Sequence, residues 1–494
     1  MLFNLANQSK TQRELRVVVI GAGMSGILAA IRLREEGIAD VTVYEKGDRV
    51  GGTWRENTYP GLSCDVPSHV YCYSFEPNPN WSRVFSPGPE ILEYFEGVAA
   101  KYDVLDIVRL GEEVTSSHFV DGRWRLETSK GRTDVADVVI TATGVLHQPH
   151  VPELPGLDSF EGEHFHTARW NHDFDLTGKR VGIIGTGSTA IQIVGATVDQ
   201  VEILSLFQRT AQWVLPQVNT PYTDEEKQNF RDNPEVMTHI YETMSQTFED
   251  NFAAAVIDAN SEQMKMIEAA CLENLESNVH DPELRKRLTP DYRAGCKRLV
   301  ISGEFYEAIQ KPTARLVDAG IERIEAKGIR TTDGELHELD AIVLATGFEA
   351  HQFMRPMDIV GRDGIKLDDV WRRNTPAYRT VSIPGFPNFF MLIGPTSPIG
   401  NFSLVEVAEM QFNYIMQLIE KVRGGEVREL EAEQAATDIF NAEAVEATKG
   451  TIWVTGCRSW YLNDDGIPAA WPWTLGRFRK EMAKPEMKDF RVRV

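Results

Sequence analysis

Val17-Val18-Val19-Ile20 runs directly into Gly21-Ala22-Gly23-Met24-Ser25-Gly26, a β-branched stretch followed by a glycine fingerprint and then by residues of helical character. Each step has a physical reason. A strand that turns sharply into a helix needs a residue without Cβ at the turn, and a pyrophosphate can approach the positive helix N-terminus only where the backbone is bare. The order recurs at Val181-Gly182-Ile183-Ile184 and Gly185-Thr186-Gly187-Ser188-Thr189-Ala190. Two such strand-turn-helix units predict an α/β chain with two Rossmann-like, three-layer dinucleotide-binding domains.

The strands that follow each fingerprint carry different chemistry. Val41-Thr42-Val43-Tyr44 ends in Glu45, roughly twenty residues past the first fingerprint, where a carboxylate accepts both ribose hydroxyls. Val201 to Phe207 instead delivers Gln208-Arg209-Thr210. An arginine there suits a ribose 2′-phosphate, and so NADPH over NADH. Val138-Val139-Ile140-Thr141-Ala142-Thr143-Gly144 is echoed by Ala341-Ile342-Val343-Leu344-Ala345-Thr346-Gly347, which suggests two related units.

Between these strands the composition changes. Gln148 to Pro155 is proline-rich and marks a crossing between domains. Residues 222 to 290 are charged and carry apolar residues at helical spacing, Met237, Ile240, Tyr241 and Met244 among them, the pattern of an inserted helical subdomain that packs on itself and roofs a cleft. Phe389 to Pro395 reads as a strand and glycine turn, and Ser403 to Val422 as an amphipathic helix, both completing the first domain. The expected organisation is residues 1–147 and 351–494 for the first domain, 148–209 and 298–350 for the second, and 210–297 for the helical insertion.

With 494 residues the chain has room for about two to four domains. Its net charge of −22 argues against a general nucleic-acid or anionic-membrane surface, while leaving local basic pockets free to hold phosphates. The five cysteines, Cys64, Cys72, Cys271, Cys296 and Cys457, form neither a CxxC pair nor a zinc pattern. An odd, scattered set suits a reducing compartment, where all five serve as structural residues. No histidine and carboxylate cluster has metal-ligand spacing. The N-terminus lacks a signal-peptide pattern and no run reaches the roughly 18 apolar residues of a membrane span, so a cytoplasmic protein is expected.

Phe160-x-Gly162-x-x-x-His166-x-x-x-Trp170 lies between the two fingerprints. With it the chain resembles, over nearly its whole length, the class B flavoprotein monooxygenases and within them the type I Baeyer-Villiger monooxygenases. Asn171 departs from the proline or aspartate with which that family usually continues. Gly51-Gly52-Thr53-Trp54, Tyr59-Pro60-Gly61 and Cys64-Asp65 look like the family's flavin-embracing loop, Cys296-Lys297-Arg298-Leu299 like its arginine segment, and Ser459-Trp460-Tyr461-Leu462 like its C-terminal segment, although Asn463-Asp464-Asp465-Gly466 departs from the commonest continuation.

The resemblance implies FAD, held by Gly21, Gly23, Ser25, Gly26, Glu45, Gly52, Thr53, Trp54, Asp65, Tyr71, Val114 and Gly144. It implies NADPH on Gly185, Gly187, Ser188, Thr189, Arg209, Lys297 and Trp460, with Lys297 at the 2′-phosphate. Arg298 and Asp65 are the implied catalytic residues. The implied reaction takes a ketone and dioxygen to an ester or lactone through a flavin peroxide anion. A guanidinium is suited to that anion because it stays charged at every working pH and also stabilises the developing alkoxide, and Asp65 orients it. From spacing alone, His166 and Trp170 fall in a linker, organising the hinge without proton transfer. The alternatives are an N- or S-oxygenating flavin monooxygenase, an NADPH oxidase, or a non-catalytic scaffold. The substrate is expected against the helical insertion, the turn Ile399-Gly400-Asn401-Phe402 and the surroundings of Trp460.

Overall fold

Continuous apolar strands need cover on both faces, and the two valine-rich runs lie at the centres of two parallel sheets. The structure is a computed structural model that describes residues 13–400 and 402–494. The N-terminal stretch read for a signal peptide and Asn401 of the expected substrate turn lie largely or wholly outside these residues. The first sheet orders its strands Phe389–Met391, Val138–Thr141, Arg16–Ile20, Asp40–Tyr44 and Val108–Arg109, all parallel. The second orders Ala314–Val317, Ile203–Phe207, Arg180–Ile184, Ala341–Leu344 and Glu163–His166, again all parallel.

The two sheets repeat one local solution. Val17, Val18 and Val19 are wholly buried, and the helix Met24–Glu35 follows the first glycine turn as Ser188–Thr197 follows the second. At each turn the glycine abuts the neighbouring strand's end. A Cβ on Gly21 (φ +103°) would stand 2.6 Å from the Ala142 carbonyl oxygen, and one on Gly185 (φ +117°) 2.3 Å from that of Ala345. Ala142 and Ala345 in turn donate their N–H groups to Ile20 and Ile184 at 2.8 and 2.9 Å. The helix Leu404–Arg423 lies against the first unit with Val405, Ala408, Phe412, Ile415 and Ile419 inward.

The chain passes between the sheets twice, and the two crossings pair with each other. Pro149 bridges Phe348, His150 donates its N–H to the Gly347 carbonyl at 2.8 Å, and Glu349 donates to that of Gln148 at 2.9 Å. The segment expected to be a linker is part of this arrangement in another form. Glu163–His166 is an edge strand of the second sheet, and Thr167–Arg169 a single 3₁₀ turn. Phe165 is buried and meets the Trp170 ring edge-on at 5.0 Å, so the short strand is recruited by packing. His166 accepts the Ala168 N–H on Nδ1 at 3.1 Å and donates from Nε2 to the Gly347 carbonyl at 3.0 Å. Burial lowers its pKa, and this doubly bonded neutral ring ties the strand to the second crossing.

The helices Asp224–Asp232, Pro234–Phe248, Glu262–Asn278 and Pro282–Leu288 fall between the strands of the second sheet. The first carries a capping box, Thr223 on the Glu226 N–H and Glu226 on that of Thr223. Of the expected stripe, Met237 is buried while Ile240, Tyr241 and Met244 are half-buried. The cysteines do not remain five separate thiols, because Cys296 and Cys457 form a disulfide and Cys64, Cys72 and Cys271 are free and buried. Their pairing depends on two segments 161 residues apart, which spacing cannot reveal. Among the described residues no helix is long and apolar enough to cross a membrane, and no three His, Cys, Asp or Glu side chains are grouped to hold a metal ion.

The insertion is anchored to the first unit partly through His69. This residue is 2% exposed and packs edge-on against the Tyr222 and Phe230 rings at 5.3 and 4.8 Å. Burial lowers its pKa from 6.5 to about 4. The unfolded chain therefore takes up a proton below pH 6.5 while the folded one does not, so this contribution to stability is complete above pH 6.5. It falls as the pH drops from 6.5 towards 4 and is constant below that, a loss of about 3 kcal/mol in all. Urea unfolding at a series of pH values should show His69→Phe losing less stability across this window than the parent protein, with the two curves parallel above pH 7.

Candidate functional site

A loop of the first unit touches the first glycine turn and the helix behind the second on its way to Asp65. Near its start, Gly52 (φ +54°) lies so close to the first fingerprint that its Cβ would stand 2.8 Å from the Gly23 Cα. Thr53 opens the short helix Thr53–Glu56. Trp54 is buried and donates its ring N–H to the Tyr71 hydroxyl at 3.2 Å, and burial raises the Tyr71 pKa. Glu45 is 5% exposed. One of its oxygens accepts the Ala22 N–H at 2.8 Å, and the other accepts from Gly47 at 2.7 Å and Arg55 at 2.8 Å. A buried carboxylate so held is a fixed acceptor beside the turn. Ser25 and Val114 are buried near the same end of the sheet, where Glu112 donates its N–H to the Glu45 carbonyl.

Further along, the loop rests on the second unit. The Tyr59 hydroxyl donates to Gln192 Oε1 at 2.9 Å and accepts from Thr189 at 3.4 Å, and Gln192 donates to the Ser63 carbonyl at 3.0 Å. A Cβ on Gly61 would stand 2.6 Å from the Gln192 carbonyl oxygen, so this contact is backbone against backbone. Gly187 has nothing within 4 Å of the place its Cβ would take, and neither have Gly144 (φ +71°) and Gly347 (φ +84°). Bare glycines facing open space at the ends of parallel strands make the cradle that a pyrophosphate requires. Ser188 begins the helix whose N–H groups point at that space.

The loop ends where Arg298 arrives. Arg298 donates from Nη2 to Asp65 Oδ2 at 2.6 Å, with side chains 33% and 23% exposed. The Asp65 charge foremost, and the Tyr461 hydroxyl to which Arg298 also bonds, raise the arginine's pKa, so it stays protonated. Gly400 (φ +93°) closes the group. A Cβ there would lie 2.2 Å from the Tyr461 oxygen and 3.2 Å from Arg298 Nη1. Tyr461 and Gly400 are site residues that sequence reasoning did not assign, although both lie in stretches it quoted, and Trp460 beside Tyr461 was the usable signal. A narrow cleft begins at Val66, next in sequence to Asp65, and is lined by Val70, Met244, Phe248 and Phe402 together with Ser245, Ser403 and Glu406.

The remaining expected residues form a basic edge. Arg209 is exposed at the end of its strand and Lys297 is half-buried. Burial, then the nearby Arg209 charge, lowers the Lys297 pKa, and its ammonium lies over the Tyr292 ring at 4.7 Å. Trp460 lies against Tyr461 with centroids 4.3 Å apart and ring planes tilted by 31°, and accepts a hydrogen bond on its carbonyl from His351 at 2.8 Å.

Residues 14–356 match the flavin-binding monooxygenase-like family model. The chain is 50% identical over 96% of both chains to an uncharacterized monooxygenase of Mycobacterium tuberculosis. It is 39% identical to a Baeyer-Villiger monooxygenase of Streptomyces coelicolor, over 99% of this chain and 94% of that one. The solved structure of cyclohexanone monooxygenase from Rhodococcus sp. Phi1 bound to NADP+ superposes with a TM-score of 0.87 at 30% identity, over 97% of this chain and 99% of that one. With two Rossmann-type units, two glycine turns and an arginine-aspartate pair at the end of the loop that packs on the first turn, the chain belongs to the flavin-binding monooxygenase-like family, on its type I Baeyer-Villiger branch.

Proposed function

We propose that this flavin monooxygenase uses NADPH and dioxygen to insert one oxygen atom next to the carbonyl of a ketone, giving an ester or lactone. The observation that carries the proposal is the Arg298–Asp65 pair at 2.6 Å, at the end of a loop that touches the first glycine turn and the helix behind the second. FAD fits the first unit, where Gly21, Gly23 and Gly26 keep the turn bare, Glu45 meets the ribose, and Gly52, Thr53, Trp54, Tyr71, Val114 and Gly144 surround the rest. NADPH fits the second, on Gly185, Gly187, Ser188 and Thr189. Arg209 and Lys297 are neighbouring positive charges in a strongly acidic protein, an arrangement suited to the dianionic 2′-phosphate. Trp460 would lie at the nicotinamide end.

Bound FAD, reduced by NADPH, supplies the activated oxygen. The chain's own residues supply the environment. Arg298 cannot act as a proton source, because Asp65 and Tyr461 hold its proton, so an oxyanion opposite it remains an anion. The same guanidinium stabilises charge that develops on the substrate's carbonyl oxygen, and one such donor is worth roughly 10²–10³ in rate. Asp65 fixes the guanidinium plane and offsets its desolvation. The cleft that begins at Val66 offers a ketone apolar contact from Val70, Met244, Phe248 and Phe402, with Ser245, Ser403 and Glu406 as its polar groups.

Rapid mixing tests this reading. The FAD-loaded protein, reduced anaerobically with NADPH and mixed with oxygen and a panel of apolar ketones, should yield ester or lactone in proportion to NADPH consumed. Release of hydrogen peroxide with every ketone and no ester would overturn it. Arg298→Ala should keep its flavin and its reduction by NADPH while product formation falls by about 10²-fold or more, and Asp65→Asn should give a smaller loss. Arg209→Ala should raise the KM for NADPH by about tenfold or more and leave that for NADH nearly unchanged, since only the 2′-phosphate contact is removed.

A further inference from the structure

The disulfide stands between the two segments that meet at Arg298. Cys296 is wholly buried and precedes Arg298 by two positions, while Cys457 precedes Trp460 by three and Tyr461 by four. The C-terminal segment has little regular structure to hold it. Between the helices Gln434–Thr448 and Leu475–Ala483 there is only the 3₁₀ turn Ile452–Val454. Ile452, Trp453 and Tyr461 pack with Met264, Cys271 and Leu299, but residues 454–456 and 458 are exposed. Gly456 (φ +110°) faces open space, and the Thr455 N–H bonds locally to Ile452. The disulfide is thus the covalent tie that seats this exposed stretch on the arginine segment.

We propose that Cys296–Cys457 is a redox modification site, whose state sets how firmly Trp460 and Tyr461 are held against Arg298. The inference rests on the role proposed above for Arg298. Its reductant is a dithiol and its oxidant a small-molecule disulfide. A thiolate of the dithiol attacks Cys457 Sγ, which is 9% exposed against 0% for Cys296 and is flanked by the exposed residues 454–456 and 458. The sulfur–sulfur bond breaks and Cys296 leaves as a thiolate that takes up a proton. The second thiol then displaces Cys457, which is protonated in turn, and the reagent departs as its own disulfide, having given two electrons and two protons. Glutathione disulfide runs the exchange in reverse and leaves as two glutathione thiols.

Opening the bond removes a constraint that spans 161 residues, and Tyr461 then keeps its place beside Arg298 through apolar packing and hydrogen bonds alone. The other cysteines do not compete. Burial raises the thiol pKa of Cys64, and that of Cys72 and of Cys271 to about 12, so they remain protonated and poorly nucleophilic.

The test uses the full-length, FAD-loaded protein purified without reductant. Alkylation in denaturant followed by peptide mapping should label Cys64, Cys72 and Cys271 alone, and all five cysteines after dithiothreitol. In the same two samples, hydrogen exchange across residues 455–462 should quicken about tenfold or more on reduction. Ester formed per NADPH consumed should fall at least twofold, and glutathione disulfide should restore both. Cys457→Ser should resemble the reduced form and ignore the reagents, while Cys271→Ser should respond as the parent does. Labelling of all five cysteines without reductant, or unchanged exchange on reduction, would overturn the proposal. So would quicker exchange with undiminished coupling, because Arg298 would then be indifferent to the tie. If no ketone gives ester in either state, the assigned reaction is at fault, and labelling and exchange alone decide whether the disulfide is a redox site.

Discussion

A carboxylate and a guanidinium 233 residues apart in sequence meet at 2.6 Å, and the rest of the architecture serves that meeting. Each charge alone would resist removal from water, and each makes the other's partial burial tolerable. Asp65 comes from a loop that packs on the first glycine turn, and Arg298 from the segment after the helical insertion in the second unit. Bringing them together requires the chain to leave the first sheet at 148–150 and build three strands of the second and the helical insertion before Arg298 arrives. The later return at 347–349 pairs with that first crossing, and the edge strand that ends in His166 pins it.

The glycine turns and their strands were legible because a Rossmann turn is local. The glycines, the preceding β-branched run and the following helix lie within about thirty residues, and the same reasoning found Glu45 and Arg209 at the ends of the next strands. The edge strand Glu163–His166 was not legible. It has four residues, of which only the last two, Phe165 and His166, are buried, and it forms because Ala341–Leu344, nearly two hundred residues later, offers it a partner. The disulfide and the Tyr461–Arg298–Gly400 group were hidden for the same reason, since each joins segments more than sixty residues apart. Asp65 and Arg298 became candidates only through the matched segments, as isolated charges carry no signal of their partner.

The electrostatic plan is local within an acidic whole. A net charge of −22 repels anions at long range, yet Arg209, Lys297 and Arg298 lie on one side of the junction between the units. Lys297 and Arg298 are successive residues with different surroundings. Burial and Arg209 make the lysine's proton easier to lose, while Asp65 makes the arginine's harder to lose. Two adjacent cations are thus set for different tasks by what each one faces.

The contact of Gly61 with Gln192 has a mechanical consequence. Backbone meets backbone there, with the Tyr59 hydroxyl and the Gln192 amide clasped across it, and such a joint transmits displacement with little give. The strap from Tyr59 to Asp65 therefore acts as a lever whose fulcrum is the helix behind the second fingerprint. Any swivel of the second unit about the paired crossings drags the strap, and with it the carboxylate that aims Arg298. The aim of Arg298 is geared to the posture of the second glycine-turn unit.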